Sequence, residues 1–242
     1  MIVYGLNPVM EALRAGRVRK LRVGPRSDRR VEDAIALARK AGVTVERTDA
    51  ASLDRAAKGG VHQGIAAEVE APRNYGIDEL VSAAAPQPAL LVVLDGVEDP
   101  HNVGAILRSI DASGGHGIVR QERHAAALDG IVAKASAGAV ATVPIATVVN
   151  IARALEELKE AGVWTVGLAS EGPDLYDQID LTLPTAIVLG AEGTGLRRLV
   201  RERCDRLAAI PMNGRVESLN VSVAAGVMLF EAARQRRLAD RV

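Results

Sequence analysis

Cysteine is almost missing from this chain. Cys204 stands alone among 242 residues, which excludes an intramolecular disulfide and leaves no cysteine pair from which a zinc site begins. The four histidines, His62, His101, His116 and His124, fall without metal-ligand spacing, so no metal is expected. Aromatic residues make up 2% of the chain, too few for a base-stacking platform of the kind that grips single strands. No apolar run reaches the ~18 residues of a membrane-spanning helix, and the start, Met1 to Pro8, has neither the basic opening nor the apolar stretch of a signal peptide. The expectation is a soluble, cytoplasmic protein. Charge of either sign is not in excess: 30 basic residues face 30 acidic ones, and no overall pull toward nucleic acid follows.

What is present is distribution. Between Arg14 and Arg30 lie Arg14, Arg17, Arg19, Lys20, Arg22, Arg26, Arg29 and Arg30 against the single acid Asp28. Such a run reads either as a solvated face or as a surface that meets RNA phosphates. The segment around it predicts β-α-β-α-β: a strand at Leu21 to Val23, a helix near 31–41 stopped by Gly42, a short strand from Thr44 to Arg47, a helix over 50–57, and a strand from Ile65 to Val69. Residues 1–70 are expected to form one small domain. Residues 71–88, rich in Ala and Pro, read as a linker with room for a helical turn or two at 77–84.

From residue 89 to 242 short apolar runs recur at 89–94, 117–119, 143–145, 163–168, 186–189 and 207–210, separated mostly by helical patterns. That alternation predicts an α/β domain with a mostly parallel sheet, whose ligands sit at the carboxyl ends of the strands.

Three strand-to-helix loops carry concentrated polarity. In Asp99-Pro100-His101-Asn102-Val103-Gly104-Ala105-Ile106-Leu107-Arg108-Ser109, Asn102 reads locally as a helix N-cap and Arg108 as a partner of Asp111. In Gly190-Ala191-Glu192-Gly193-Thr194-Gly195-Leu196, the glycines allow close backbone approach around one carboxylate. The order is neither a dinucleotide fingerprint nor a P-loop, and a plain turn is the local alternative. In Ile210-Pro211-Met212 through Ser218-Leu219-Asn220-Val221-Ser222, Ser218 reads as a cap for a helix that is apolar almost all round from Val221 to Phe230, and so is expected to be buried on more than one side.

Taken together and in this order, the three segments resemble the motifs of the SpoU/TrmH (SPOUT) RNA 2′-O-ribose methyltransferases. Tyr4-Gly5-Leu6-Asn7-Pro8-Val9 and Val61-His62-Gln63-Gly64 resemble the extra amino-terminal domain of the RlmB-type branch. The resemblance implies a ribosomal-protein-like α/β domain that binds RNA, followed by a SPOUT catalytic domain with a carboxyl-terminal trefoil knot, assembled as a homodimer. It implies S-adenosylmethionine as methyl donor and ribosomal RNA as partner, most nearly a guanosine of 23S rRNA. It also implies catalytic roles for Asn102, Arg108, Glu192, Ser218 and Asn220, and donor contacts from Gly190, Glu192, Gly193, Ile210, Met212, Ser218 and Leu219. Because a guanidinium stays protonated, Arg108 is expected to orient and stabilise charge more than to act as a base. The stretch Arg120-Gln121-Glu122-Arg123-His124 departs from the family pattern, which often has proline and lysine there. Alternatives are an antibiotic-resistance rRNA or tRNA ribose methyltransferase and a non-catalytic RNA-binding assembly factor. A nucleotide-dependent oxidoreductase lacks its glycine fingerprint.

Overall fold

The computed structural model describes residues 1–25, 28–70 and 73–240. Arg26 of the basic run, the first two residues of the expected linker and residues 241–242 lie outside them. Two compact units are present: Met1–Pro72 with Val103–Arg108 and Ala127–Thr142, and Arg73–Asn102 with Ser109–Ala126 and Val143–Val242.

The first unit opens on a strand and helix absent from the pattern reading, β1 (Ile2–Tyr4) and α1 (Leu6–Arg14). They are followed by β2 (Val18–Val23), α2 (Arg29–Lys40), β3 (Thr44–Arg47), α3 (Ala50–Ala56) and β4 (Ile65–Val69). The sheet order is β1-β4-β2-β3, with β4 antiparallel to both neighbours and β3 parallel to β2. Asp28 and Asp49 cap α2 and α3 by accepting from the backbone N–H of Val31 and Ser52, each worth about 1 kcal/mol. Gly42 ends α2 at φ 71°, a left-handed conformation that glycine enters without a Cβ clash. Pairing neutralises much of the basic run. Arg14 meets Glu11, Arg19 meets Glu70, Lys20 and Arg22 share Glu46, and Arg22 also binds Glu68. Arg17 donates to the Ala141 carbonyl, and Arg30 to Asn7.

The second unit contains α4 (Ile77–Ala83), β5 (Leu90–Asp95), part of α5 (Pro100–Ser113) and β6 (Gly117–Gln121). After α6 (Gly130–Ala135), which belongs to the first unit, come β7 (Ile145–Val148), α7 (Ile151–Glu160), β8 (Trp164–Leu168) and β9 (Asp174–Leu175). The chain ends in β10 (Thr185–Gly190), α8 (Arg198–Arg203), β11 (Arg206–Ala209) and α9 (Val221–Ala239). The seven strands, ordered β7-β6-β5-β10-β8-β11-β9, are all parallel, as the apolar runs predict. All six residues of β5 are buried. Leu91 and Val93 pack with Val119, Ala186 and Val188 against Leu80 of α4 and Leu155 and Leu158 of α7. Burying each such side chain contributes about 1.5–3 kcal/mol. On α9, Val221, Ala225, Met228, Leu229 and Ala232 are buried while Val223 and Phe230 remain about half exposed.

Candidate functional site

The carboxyl ends of β8, β10 and β11 converge on a cavity of about 410 Å³ in the second unit, within the range of small-ligand sites. Its floor is Leu168, Leu189, Gly190 and Ala208; its walls are the loop from Ala191 to Leu196, the loop from Ala169 to Glu171, and the segment from Ile210 to Leu219 that leads into α9.

The glycine-rich loop folds back on its own strand. Ala191 N donates to the Gly195 carbonyl at 3.2 Å and Gly195 N returns to the Ala191 carbonyl at 2.9 Å. A Cβ on Gly190 would lie 2.1 Å from the carbonyl carbon of Gly195, so glycine is obligatory for this closure. Arg197, just beyond the loop, ties it down: its backbone N and its Nε donate to the Asp95 carboxylate at 2.8 and 2.6 Å. Asp95 is fully buried at the end of β5, where Gly190 is its register partner. A lone carboxylate there would be expensive, and the arginine fork compensates it.

A second set of bonds joins all three motif loops. Asn102 Nδ2 donates to Glu192 Oε1, Asn220 Nδ2 donates to Asn102 Oδ1 at 3.0 Å, and the same Nδ2 lies 3.2 Å from Glu192 Oε1. Residues 90 and 118 positions away from Asn102 thus meet it. Asn220 also caps α9, its Oδ1 accepting from Ser222 N at 2.9 Å and from Ser222 Oγ at 2.6 Å.

Two local readings of the sequence are corrected by this geometry. The N-cap of α5 is Asp99, which accepts from His101 N at 2.9 Å and precedes Pro100 in the first turn. Asn102 sits inside the helix and, 6% exposed, spends both ends of its amide on the network. Similarly Asn220, not Ser218, caps α9, leaving Ser218 to line the cavity. Of the residues expected to hold the donor, Gly190, Glu192, Gly193, Ile210, Met212, Ser218 and Leu219 all line it. Arg108 does not. It stands exposed on α5, six residues beyond Asn102.

Sequence reasoning missed the Asp95–Arg197 clamp and the loop after β8. In that loop Glu171 is held below the ordinary carboxylate range by the Ser170 hydroxyl, by backbone N–H bonding and by its pairing with Arg201. The recurring apolar run at 163–168 was the available signal, since a buried parallel strand delivers its carboxyl end to the ligand edge. Cys204 has no chemical role suggested by its surroundings: burial pushes its thiol up to about 12, where it is inert.

The cavity can enclose a nucleoside-sized group between apolar side chains and loop backbone, and the network fixes a carboxylate and two amides beside it. Among the described residues no group of three potential metal ligands occurs. Residues 89–230 match the model of the SpoU rRNA methylase family, and residues 2–75 match that of the RNA 2′-O-ribose methyltransferase substrate-binding domain. The chain is 45% identical over 98% of its length, and of the relative's, to the 23S rRNA (guanosine-2′-O-)-methyltransferase RlmB of Yersinia pestis. It is 46% identical over 98% of its length to an uncharacterized tRNA/rRNA methyltransferase of Mycolicibacterium vanbaalenii, of which it covers 77%. In structure it is similar to the SpoU methyltransferase AviRb from Streptomyces viridochromogenes in complex with AdoMet, at a TM-score of 0.82 and 29% identity over 98% of this chain and 90% of that one. Three motif loops on one parallel sheet, following a substrate-binding segment in sequence, and these likenesses over nearly the whole chain lead to one assignment: the protein belongs to the SpoU rRNA methylase family.

Proposed function

We propose that this protein transfers the methyl group of S-adenosylmethionine to the ribose 2′-hydroxyl of a guanosine in 23S rRNA. The observation that carries the reading is the bonded set Asn102, Glu192 and Asn220, which gathers the three motif loops beside a cavity at the carboxyl edge of the sheet. The cavity fits the donor: glycine at position 190 lets backbone approach the ligand closely, and Leu168, Leu189, Ile210 and Leu219 offer apolar faces to an adenosyl group. The sulfonium of the donor supplies the activated methyl carbon. The chain's own task is to position a weak nucleophile in line with it and to stabilise charge as the hydroxyl proton departs.

In this reading Gly190, Gly193, Ile210, Met212 and Leu219 hold the donor, Ser218 shapes its loop, and Glu192 with Asn102 and Asn220 organises the reacting end. Arg108 orients the acceptor ribose and its phosphate. The amino-terminal domain, residues 1–70, supplies RNA affinity, residues 71–88 form the linker, and residues 89–242 the catalytic domain. The match of residues 2–75 to a substrate-binding model supports that division. A carboxyl-terminal trefoil knot and a homodimer accompany the reading. The return of α9 onto β10 is compatible with the first, and the half-exposed Val223 and Phe230 of α9 favour the second. No helix among the described residues is long and apolar enough to cross a membrane, which suits a cytoplasmic enzyme acting on ribosomal RNA.

The test is ribose-methylation mapping of ribosomal RNA from cells with and without the protein, joined to methyl transfer in vitro. Loss of one 23S guanosine methyl group, restored by the purified protein, is expected. A methyl group appearing only on tRNA would favour the tRNA alternative, and RNA binding without transfer would favour an assembly factor. Light scattering should give twice the monomer mass, and Phe230→Glu should lower it.

A further inference from the structure

The sheet's carboxyl edge holds a second cation besides Arg197, and it has no acid to answer it. Arg120, at the end of β6, is 8% exposed. Its one hydrogen bond among the described residues runs from Nε to the carbonyl of its own neighbour, Gln121, at 3.3 Å, a long contact for a guanidinium. Arg236, half-buried in the same unit, is by contrast saturated: it donates to four carbonyls. An arginine taken from water without an acidic partner is strongly unfavourable unless something compensates it, and burial pulls the Arg120 pKa down. The single buried side-chain polar atom without a partner among the described residues is Gln121 Oε1. The Nη edge of Arg120, bonded to no protein group, therefore opens to solvent while its stem is enclosed.

Position gives that opening a meaning. Arg120 pairs in register with Leu94 of β5, and Leu94 with Leu189 of β10, which lines the cavity. Two strand spacings, about 10 Å, separate it from the cavity floor along one row, on the side of β5 away from the donor loops. The surrounding loop is mixed in charge: Arg123 is exposed, His124 stands 3.4 Å from Glu98, and Glu122 is exposed. A rigid planar fork with its Nη edge free matches a phosphate oxygen pair better than a point charge does.

We propose that Arg120 is a phosphodiester contact for the acceptor RNA strand, seated beside the methyl-transfer site. The inference rests on the RNA methyltransferase reading above and assigns that reading a residue outside its three motif loops.

The experiment measures RNA affinity against salt concentration, together with S-adenosylmethionine affinity, for the full-length protein and for Arg120→Gln and Arg120→Lys. Loss of one phosphate contact should weaken RNA binding about tenfold in Arg120→Gln and make the slope of log K against log salt shallower by about 0.7–0.9. Donor affinity should be unchanged, and Arg120→Lys should recover part of the affinity. An unchanged salt slope in folded Arg120→Gln, or donor affinity falling in parallel with RNA affinity, overturns the proposal. If both variants fail to fold, phenylglyoxal modification of the unaltered protein decides: protection of Arg120 by RNA but not by donor supports the contact, and protection by neither refutes it. Absence of RNA binding by the unaltered protein would instead sink the underlying reading.

Discussion

The two edges of the seven-stranded sheet use polar groups in different ways. At the amino edge, Arg236 spends its guanidinium on the carbonyls of Pro88, Ala89, Leu181 and Leu183, at 2.6–3.0 Å. His116 closes the start of β5 by accepting from Leu90 N on Nδ1 and donating its own N–H to the Leu90 carbonyl. Those donors are used up by the backbone. At the carboxyl edge, Glu192, Asn102 and Asn220 bond to one another from three loops, and Arg120 keeps most of its fork unspent. A saturated polar group is scaffolding and an unsaturated one is available to a ligand. Variants of Arg236 and His116 should therefore destabilise the protein, as should variants of the saturated Asp95–Arg197 clamp, and variants of Glu192 should disarm it.

The largest effect should come from the disarming edge. Glu192→Ala at that edge, and Arg108→Ala on the exposed side of α5, are each expected to lose about a hundredfold or more in single-turnover methyl transfer, with a thermal midpoint close to the starting value. Arg108→Lys should lose most of the activity too, since lysine lacks the planar fork. A near-normal rate in folded Arg108→Ala would remove Arg108 from the mechanism. At the scaffolding edge, Arg236→Met should cost about 2 kcal/mol or more, or roughly 4–8 °C for a chain of this size, while activity per folded molecule stays within about twofold. A thermal midpoint that does not move would erase the distinction between the edges.

How much of this was legible in the sequence depended on range. The parallel sheet showed itself because strands buried on both faces must be continuously apolar, as Leu90 to Leu94 are. The strand and helix at Ile2–Tyr4 and Leu6–Arg14 did not: the strand is three residues long, and Pro8 falls in the first turn, a position proline tolerates but that reads as a break. Asp99-Pro100, a capping acid before an N1 proline, is the sequence signal for the α5 cap, and Asn102 three residues on competes with it only as a residue type. The Asp95–Arg197 clamp could not be read at all. Its partners lie 102 residues apart, and only the register of β5 against β10 brings them together.

A smaller effect sharpens the view of the amino edge through pH. Burial, and then the charge of Arg236, lower the pKa of His116 below its ordinary value; protonating Nδ1 would also break its bond from Leu90 N. The unfolded chain therefore takes up this proton more readily than the folded one, and stability falls as pH drops through about 6.5. His116→Asn keeps an acceptor near the same place without titrating. Urea unfolding between about pH 5 and 8 should show a shallower pH dependence in this variant, and identical curves would acquit His116.

The smallest effect concerns the basic run, whose pairing in the first unit sets it apart from Arg120. Arg19 and Glu70 meet at 3.1 Å with side chains 73% and 56% exposed, so the pair contributes less than about 1 kcal/mol to stability. Its electrostatic consequence is more telling. A cation already answered by a carboxylate releases few counterions when RNA approaches, so Arg19→Ala should weaken RNA binding by less than about twofold and leave the salt slope nearly unchanged. Glu70→Gln should do the reverse, freeing Arg19, tightening RNA binding slightly and steepening the slope by a fraction of one. A large loss on Arg19→Ala would mean that the run breaks its ion pairs to reach phosphate. The amino-terminal surface would then be a latent cationic face and not a neutralised one. The measured pair of slopes, set beside that of Arg120→Gln, ranks the two surfaces by how much charge each presents to RNA.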